Sequence, residues 1–386
     1  MLSLPVRLSR PVGILCLLLV GFVLTAVPQA TVAPVATTAV PGTAIRGLTT
    51  CTDSLGNPLV VYAVSQQRNN RTFLHAIDPA SRKLLGKALP QASAPALVQV
   101  QFLADAIGFV MSSDCRTGYT VGFSDGNVYA FSLPDPRAIG SLPVEQVVAQ
   151  LKAKIAACKS PGDDVAPGAE DLALWEGGQK LLVACSSTNK VAVVDLTSGK
   201  VAAEISVGAL PRAIAIYTNG ATNRAYTANF ESGTISVIDL NSNTVAATRT
   251  AGALTFNVVA NPNNPVSVLS AYYLSQGTNT MGSFVPDNGA PVGQADVCDT
   301  PRGIVLDPRG QSVYVTCSGI GDGRSGISRI ATNGTVSYFK TSQLLERYAT
   351  FVCASNNNKC DQKYELWVAN LASRGEIDIY DANQLR

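Results

Sequence analysis

An internal repeat restricts the fold of this chain more than any other feature of its sequence. In the clearest copy, the run Ala-Tyr-Thr-Ala-Asn at 225–229 leads through a glycine-containing turn to an alternating run that ends at Asp239. Each run alternates apolar residues with small or polar ones, which is the period of a half-buried strand. The equivalent Asp195 lies 44 residues earlier (239 − 195), and about 40–45 residues is the length of a four-stranded propeller blade. Further copies lie at 181–195, 313–330 and 366–380.

Inner strands of this repeat can be placed along the whole chain. They are predicted to begin near Arg46, Ala106, Asp171, Arg212, Thr255, Arg302 and Arg347. The sequence therefore predicts an all-β fold, a single seven-bladed β-propeller of four-stranded antiparallel blades over 45–386. The last blade ends soon after 377–380, so we expect a segment within 31–44 to supply its outer strand. Such an exchange closes the ring and removes exposed strand edges.

The repeat resembles a known family. Residues 226–229 (Tyr-Thr-Ala-Asn) and 314–317 (Tyr-Val-Thr-Cys) are similar to the motif of the YVTN β-propeller repeat family. The resemblance is good over about 170–243 and 301–334, fair at the C-terminal end and weak before residue 150. It implies the propeller fold and a cell-surface or periplasmic role, often through protein contacts. It implies little about activity, because one fold serves many functions.

The N-terminus is typical of a targeting segment. Arg7 and Arg10 precede an uncharged, mostly apolar run at 12–27, and Ala26 or Ala30 could precede a cleavage site. Residues 1–30 are therefore predicted to be a cleaved signal peptide, with an uncleaved signal anchor as the alternative. Residues 31–44, rich in Pro, Ala and Thr, form a tether. Either form places the propeller outside the cytoplasm, in the periplasm, at the cell surface or secreted, and only an uncleaved leader would attach it to a membrane.

The number of cysteines favours disulfide bonds. Nine are present, and Cys16 lies in the leader, which leaves eight in the mature chain. An even number in an exported protein is typical of a disulfide framework. In an antiparallel hairpin, the residue before the first strand faces the residue after the second. This geometry pairs Cys298 with Cys317, and Cys158 with Cys185 in an equivalent position with a longer intervening loop.

The other four cysteines are assigned by their surroundings. Cys353 and Cys360 flank one Asn-rich turn and are predicted to close it. Cys51 and Cys115 each follow an inner strand in adjacent blades, so they could link blades 1 and 2. The alternative is buried free thiols or metal ligands. Zinc is not favoured, because the chain has no Cys-x-x-Cys and a single histidine.

One segment has helical periodicity. Apolar residues recur at helical spacing at Val144, Val147, Val148, Leu151 and Ile155. This pattern predicts one amphipathic helix over about 143–157, inserted between blades 2 and 3. It would either dock a partner or pack on the propeller itself.

Charge and histidine content exclude several classes of function. The formal net charge is +2, and removing Arg7 and Arg10 brings the mature chain near zero (+2 − 2). No basic stripe is present, so nucleic-acid binding is not expected. With His75 as the only histidine, the chain alone cannot build a histidine-rich metal centre or ligate haem through histidine. No cofactor is predicted.

Calcium is the one ion that the sequence leaves open. Oxygen-rich clusters suit calcium, although no 12-residue calcium-loop pattern is present. The alternative is a solvated acidic loop. The candidate residues are Asp163, Asp164, Glu170 and Asp171, with a smaller group at Asp296 and Asp299.

Charged residues recur where inner strands begin. Because strand starts in a propeller converge on one mouth of the central channel, these residues are predicted to lie together and to bind an anionic ligand through charge-assisted hydrogen bonds. The alternative is that they pair with each other across blades, since charges near a core must be satisfied. They are Arg46, Glu170, Asp171, Arg212, Arg302 and Arg347, with Asp105 before a sixth strand.

These features favour an exported propeller that acts as a protein- or ligand-binding scaffold with a protein partner. Two alternatives belong to other classes. One is a propeller lactonase-type hydrolase with its site at the channel mouth; the other is a cofactor-free subunit of an extracytoplasmic redox complex. Enzyme activity is not favoured, because no Gly-x-Ser-x-Gly elbow and no Ser-His-Asp set is found, so no catalytic residue is assigned.

Overall fold

Seven small β-sheets arranged in a ring form the structure. The computed structural model describes residues 30–42, 44–66, 72–86, 98–100, 105–139, 150–158, 168–220, 222–260, 271–319, 326–342, 344–354, 360, 363–370 and 375–386. Residues 1–29 of the predicted leader lie outside these ranges. In the described part of the chain, no helix has the length and apolar character needed to cross a membrane.

The strands follow the chain around the ring. Two short strands come first: β1 (Ala30–Thr31) and β2 (Ala36–Ala39). Blade 1 contains β3 (Ala44–Thr52), β4 (Pro58–Gln66), β5 (Thr72–Ile77) and β6 (Val98–Val100). Blade 2 contains β7 (Ala106–Met111), β8 (Thr117–Gly122), β9 (Asn127–Ser132) and β10 (Gln150–Ala156). Blade 3 contains β11 (Ala169–Trp175), β12 (Lys180–Cys185), β13 (Lys190–Asp195) and β14 (Lys200–Ser206).

The remaining four blades continue this order. Blade 4 contains β15 (Pro211–Asn219), β16 (Thr222–Asn229), β17 (Thr234–Asp239) and β18 (Thr244–Thr250). Blade 5 contains β19 (Thr255–Ala260), β20 (Ala271–Ser275), β21 (Thr280–Phe284) and β22 (Pro291–Asp296). Blade 6 contains β23 (Pro301–Leu306), β24 (Ser312–Cys317), β25 (Gly326–Ala331) and β26 (Val336–Lys340). Blade 7 contains β27 (Leu345–Cys353), β28 (Tyr364–Asn370) and β29 (Glu376–Asp381).

The predicted seven-bladed propeller is confirmed. Each inner strand contacts the next one, and the contact of β27 with β3 completes the ring. Strand position determines the burial pattern. Middle strands such as β24 are buried along their whole length, because neighbouring blades cover both of their faces. Outer strands such as β14 alternate between exposed and covered residues. Apolar clusters therefore lie between adjacent blades; one joins Val61 of blade 1 to Trp367 and Ile377 of blade 7.

The N-terminal segment joins the two ends of the ring. β2 pairs antiparallel with β29 and is the fourth strand of blade 7. Val40, which follows β2, is buried, and its N–H donates to Gly375 O at 2.7 Å. β1 adds a parallel fifth strand to blade 6 beside β26, where the Val32 N–H donates to Lys340 O at 2.9 Å. The segment therefore binds both blade 6 and blade 7.

The predicted helix at about 143–157 is wrong over its second half. Residues 150–156 form β10, the outer strand of blade 2, which pairs antiparallel with β9. This stretch also alternates, with Lys152 and Lys154 between apolar residues, and Ile155 lies buried opposite Val128. Strand β9 of blade 2 offers backbone hydrogen-bond partners to this stretch, so it forms a strand and not a helix. Residues 140–149, which include the first part of the predicted helix, lie outside the described ranges. Within the described ranges, the only helical elements are two 3₁₀ turns.

Four disulfides are present, and three of them join neighbouring blades. Cys51 in β3 is bonded to Cys115 in blade 2. Cys158, after β10 of blade 2, is bonded to Cys185 of blade 3, and Cys298, after β22 of blade 5, to Cys317 of blade 6. The fourth, Cys353–Cys360, closes a turn within blade 7. These are the pairs that the sequence predicts, so the cysteines are not free thiols.

A buried carboxyl group lies beneath the closing strand. Asp378 of β29 accepts hydrogen bonds from Thr37 Oγ1 at 2.9 Å and from Asn370 Nδ2 at 3.2 Å. Burial raises the pKa of Asp378, and the two hydrogen bonds only partly oppose this effect. Since the pKa in the folded state exceeds the unfolded value of about 3.9, the contribution of Asp378 to stability is complete at low pH and is lost as the pH rises through the folded pKa.

We therefore expect Asp378→Asn to change the pH dependence of stability. The free energy of unfolding of the variant minus that of the wild type should increase as the pH rises from about 3.9 through the folded pKa of Asp378, because only the wild type loses stability on ionisation. Urea unfolding at several pH values measures this difference. Asp195→Asn is the control with the opposite slope: hydrogen bonds from Ser198 lower the pKa of Asp195. A difference for Asp378→Asn that does not change with pH would contradict the prediction.

Candidate ligand site at the channel mouth

The predicted charged residues occupy one structural position in their blades. Glu170, Arg212 and Arg302 are each the second residue of an inner strand, and each lies at a break in the pairing register with the next strand. Arg46 lies at the same break in β3, and Arg347 lies within a longer one in β27. A β-bulge of this kind redirects a side chain away from the regular pleat. The bulges therefore place these charges at one end of the channel.

Glu170, Arg212 and Arg347 form the centre of the site. Glu170 Oε1 lies 4.0 Å from Arg212 Nε, and Glu170 Oε2 lies 3.8 Å from Arg347 Nη1. Both distances exceed hydrogen-bond length. The Arg212 Nε–H is buried and has no acceptor among the described residues. The carboxylate thus partly neutralises two guanidinium groups without using their hydrogen-bond donors.

Arg347 reaches across the mouth from blade 7. Its Nη2 donates to the Glu170 carbonyl oxygen at 2.7 Å, and its Nη1 donates to the Arg212 carbonyl oxygen at 3.3 Å. Only 10% of its side chain is exposed, compared with 31% for Arg212. Arg347 therefore connects blades 7, 3 and 4, whereas Arg212 faces solvent and can contact a ligand.

Aromatic rings lie against the guanidinium groups. Arg212 Cζ is 4.2 Å from the centroid of Phe230 and 5.7 Å from that of Phe256. Arg302 Cζ is 5.8 Å from the Phe256 centroid, and Arg347 Cζ is 4.9 Å from that of Tyr348. Stacking of this kind stabilises a cation and leaves the edge of the guanidinium group available for hydrogen bonds. Phe256 lies between two arginines from the blades on either side of it.

The charges in the cluster influence each other's ionisation. Burial lowers the pKa of Arg212; Glu170 opposes this, and the like charges of Arg347 and Arg302 add to it. Burial also raises the pKa of Asp171, although Arg347 and a hydrogen bond from the Ile214 N–H oppose the effect. Three guanidinium groups therefore lie near one another, with the largely buried carboxylate of Glu170 and the carboxyl group of Asp171, whose ionisation burial disfavours. Positive charge is in excess in this cluster.

Arg46 does not join this cluster. Its Nε donates to Gln66 Oε1 at 3.1 Å, and Gln66 Nε2 donates in turn to Asp105 Oδ1. Ser124 Oγ donates to the other oxygen of Asp105 at 3.1 Å. The predicted ring of charges is therefore divided in two. In blades 1 and 2, a chain of hydrogen bonds connects Arg46 through Gln66 to Asp105, so one positive and one negative charge balance. Blades 3, 4, 6 and 7 carry the arginine-rich cluster.

A small cavity of about 160 Å³ lies in the channel beside this cluster. Asp171 and Arg347 line it. Gly108 also lines it with a φ of +68°, and a Cβ there would lie 2.6 Å from Leu172 Cδ2. Glycine at this position lets blades 2 and 3 approach closely at the axis. The cavity is large enough for water or a small group but not for a large substrate.

Sequence reasoning missed the aromatic members of the site. Phe256 occupies the same bulge position in blade 5 as Arg212 and Arg302 in blades 4 and 6. The repeat alone predicts this equivalence, but a phenyl ring carries no charge and so does not mark the position as a site for an anion. Phe230, which follows β16, had no such signal.

The acidic residues that the structure describes are engaged in other contacts. Asp299 is buried and accepts from Asn279 Nδ2 at 3.3 Å, and Glu170 belongs to the arginine cluster. Across the described ranges, no three His, Cys, Asp or Glu side chains come together as metal ligands do. Asp163 and Asp164 lie outside those ranges. Comparison with known proteins finds no matching family model, and no curated protein matches the chain.

Proposed function

We propose that this protein is an exported β-propeller of the YVTN type that acts as a binding scaffold and engages an anionic group of its partner at the channel mouth. One observation carries the proposal: Arg212 and Arg347, from two different blades, share the carboxylate of Glu170, and Arg302 from a third blade adds a like charge near Arg212. Guanidinium groups bind carboxylates and other oxyanions through paired, charge-assisted hydrogen bonds.

The hydrogen bonding in the cluster favours ligand binding over purely structural ion pairing. A structural cluster would satisfy its buried donors internally, since an unsatisfied buried donor is costly. Here the Arg212 Nε–H is buried without an acceptor among the described residues, and Glu170 remains 4.0 Å away. An incoming anion would offset the excess positive charge through the exposed part of the Arg212 side chain.

Export is supported by the disulfides. Four bonded pairs are characteristic of proteins that fold in an oxidising compartment. The basic and apolar leader at 1–30 is consistent with the same route. The protein would therefore meet its partner in the periplasm, at the cell surface or in the medium.

Charge reversal at the mouth tests the proposal. Tagged wild-type protein is expected to co-purify from native extract with a partner that the double variant Arg212→Glu, Arg302→Glu fails to retain. The matched control is Arg249→Glu, an exposed arginine on β18 of the same blade as Arg212. Recovery of the same partner by the double variant, or of monomer alone by the wild type, would overturn the proposal.

A further inference from the structure

We infer that the anionic group is a carboxylate attached to an apolar body, and that Arg212 and Arg302 bind it beside the ring of Phe256. This inference rests on the proposed function and specifies its ligand class. A free organic acid and the C-terminal carboxylate of a polypeptide with an apolar last residue share this chemistry.

The first step is that two arginines lie at similar distances from one phenyl ring. Their Cζ atoms lie 5.7 Å and 5.8 Å from the Phe256 centroid, and all three residues occupy the same bulge position in consecutive blades. A planar carboxylate has two oxygen atoms, so it can accept hydrogen bonds from two guanidinium groups. The repeat itself therefore brings two guanidinium groups to one phenyl ring.

The second step is the charge available for a ligand. Arg347 already donates to two backbone carbonyl oxygens, which hold it in place across the mouth. Glu170 lies between Arg212 and Arg347 but beyond hydrogen-bond distance of both. Arg212, with 31% of its side chain exposed, is therefore in position to bind an added anion.

The third step is the apolar surface beside the arginines. Leu254, two residues before Phe256, is 42% exposed, and Phe230 stacks edge-to-face on Phe256 at 6.0 Å. An inorganic anion would leave this surface exposed to water, whereas an apolar body would cover it.

Small probes test the ligand class directly. With the mature wild-type protein, we expect phenylacetate to bind saturably by calorimetry and to raise the unfolding midpoint. Acetate and inorganic phosphate should bind at least about tenfold more weakly, because they lack the apolar contact. Raising the salt concentration should weaken phenylacetate binding by screening the exposed charges.

Substitutions test which arginines bind the carboxylate. Arg212→Ala and Arg302→Ala should each weaken phenylacetate binding by about ten- to a hundredfold, the range for loss of a charged hydrogen-bond partner. Arg212→Lys keeps the charge but loses the planar guanidinium group. It should bind phenylacetate more weakly than the wild type and more tightly than Arg212→Ala. Arg249→Ala should bind as the wild type does. The unfolding midpoint of each variant without ligand shows whether it is folded.

A second pair of probes identifies the source of the carboxylate. A short peptide that ends in phenylalanine is compared with its C-terminally amidated form. Binding of the free-acid peptide alone supports a polypeptide terminus as the ligand. Binding of phenylacetate without the peptide supports a small organic acid.

The outcomes separate this inference from the proposed function. Phenylacetate binding that is unchanged in both alanine variants, preference for phosphate, or no saturable carboxylate binding would each overturn the inference. If partner capture still depends on Arg212 and Arg302 in those cases, the proposed function stands. If carboxylate binding depends on Arg212 and Arg302 but no partner is captured, the inferred ligand class is supported and the proposed scaffold function is contradicted.

Discussion

A chain that begins at residue 41 is expected to be less stable than one that begins at residue 30 by about 3–6 kcal/mol. The deletion removes the buried side chains of Val32 and Val40, each worth about 1.5–3 kcal/mol. It also removes the pairing of β2 with β29 and the hydrogen bond from Thr37 to Asp378. Urea unfolding of the two chains gives the difference in free energy, which is a large fraction of the roughly 5–15 kcal/mol typical of folded proteins.

A shorter deletion separates the two strands. A chain that begins at residue 35 loses β1 and Val32 but keeps β2, so it should lose no more than about half of that stability. The chain from residue 41 also exposes β29 as an unpaired edge, which invites association between copies. Light scattering should detect this association at concentrations where the longer chain stays monomeric. Equal stability of all three chains would show that the N-terminal segment does not hold the ring closed.

Much of the fold follows from the repeat, because each blade is one copy of a unit that cannot bury its own faces. Predicted inner strands at Arg212, Thr255 and Arg302 match β15, β19 and β23 within a residue or two. The helix at 150–156 was mispredicted because Ile155 fits both a helical and an alternating pattern, and only the neighbouring β9 decides between them. The parallel strand β1 could not be predicted, since two residues carry no period.

The site was less predictable than the fold. Equivalent repeat positions identified Glu170, Arg212 and Arg302, because the backbone places every copy of a bulge in the same way. The separation of Arg46 depends instead on the side chain of Gln66, which connects it to Asp105. Side-chain contacts between blades follow from packing across the ring, and a single blade's sequence does not contain that information.

The binding proposal and the fold are connected through the rigidity of the ring. Arg212 and Arg302 belong to different blades, so their separation is constant only if neighbouring blades do not shift. The Cys298–Cys317 disulfide joins blade 5 to blade 6, and Cys317 pairs with Pro301, the residue before Arg302. A site assembled from several blades gains affinity when its groups are held in place before the ligand arrives.

Removal of the Cys51–Cys115 disulfide is expected to lower the free energy of unfolding by about 4 kcal/mol. The two cysteines are 64 residues apart, and a loop of that length restricts the unfolded chain strongly. The Cys51→Ala, Cys115→Ala variant is compared with Cys353→Ala, Cys360→Ala, whose cysteines are separated by 7 residues. The shorter loop should contribute only about 2 kcal/mol. Urea unfolding under oxidising conditions measures both losses. The Cys353→Ala, Cys360→Ala variant could instead lose as much stability as the Cys51→Ala, Cys115→Ala variant. Native contacts at the turn, rather than loop closure, would then determine what these disulfides contribute.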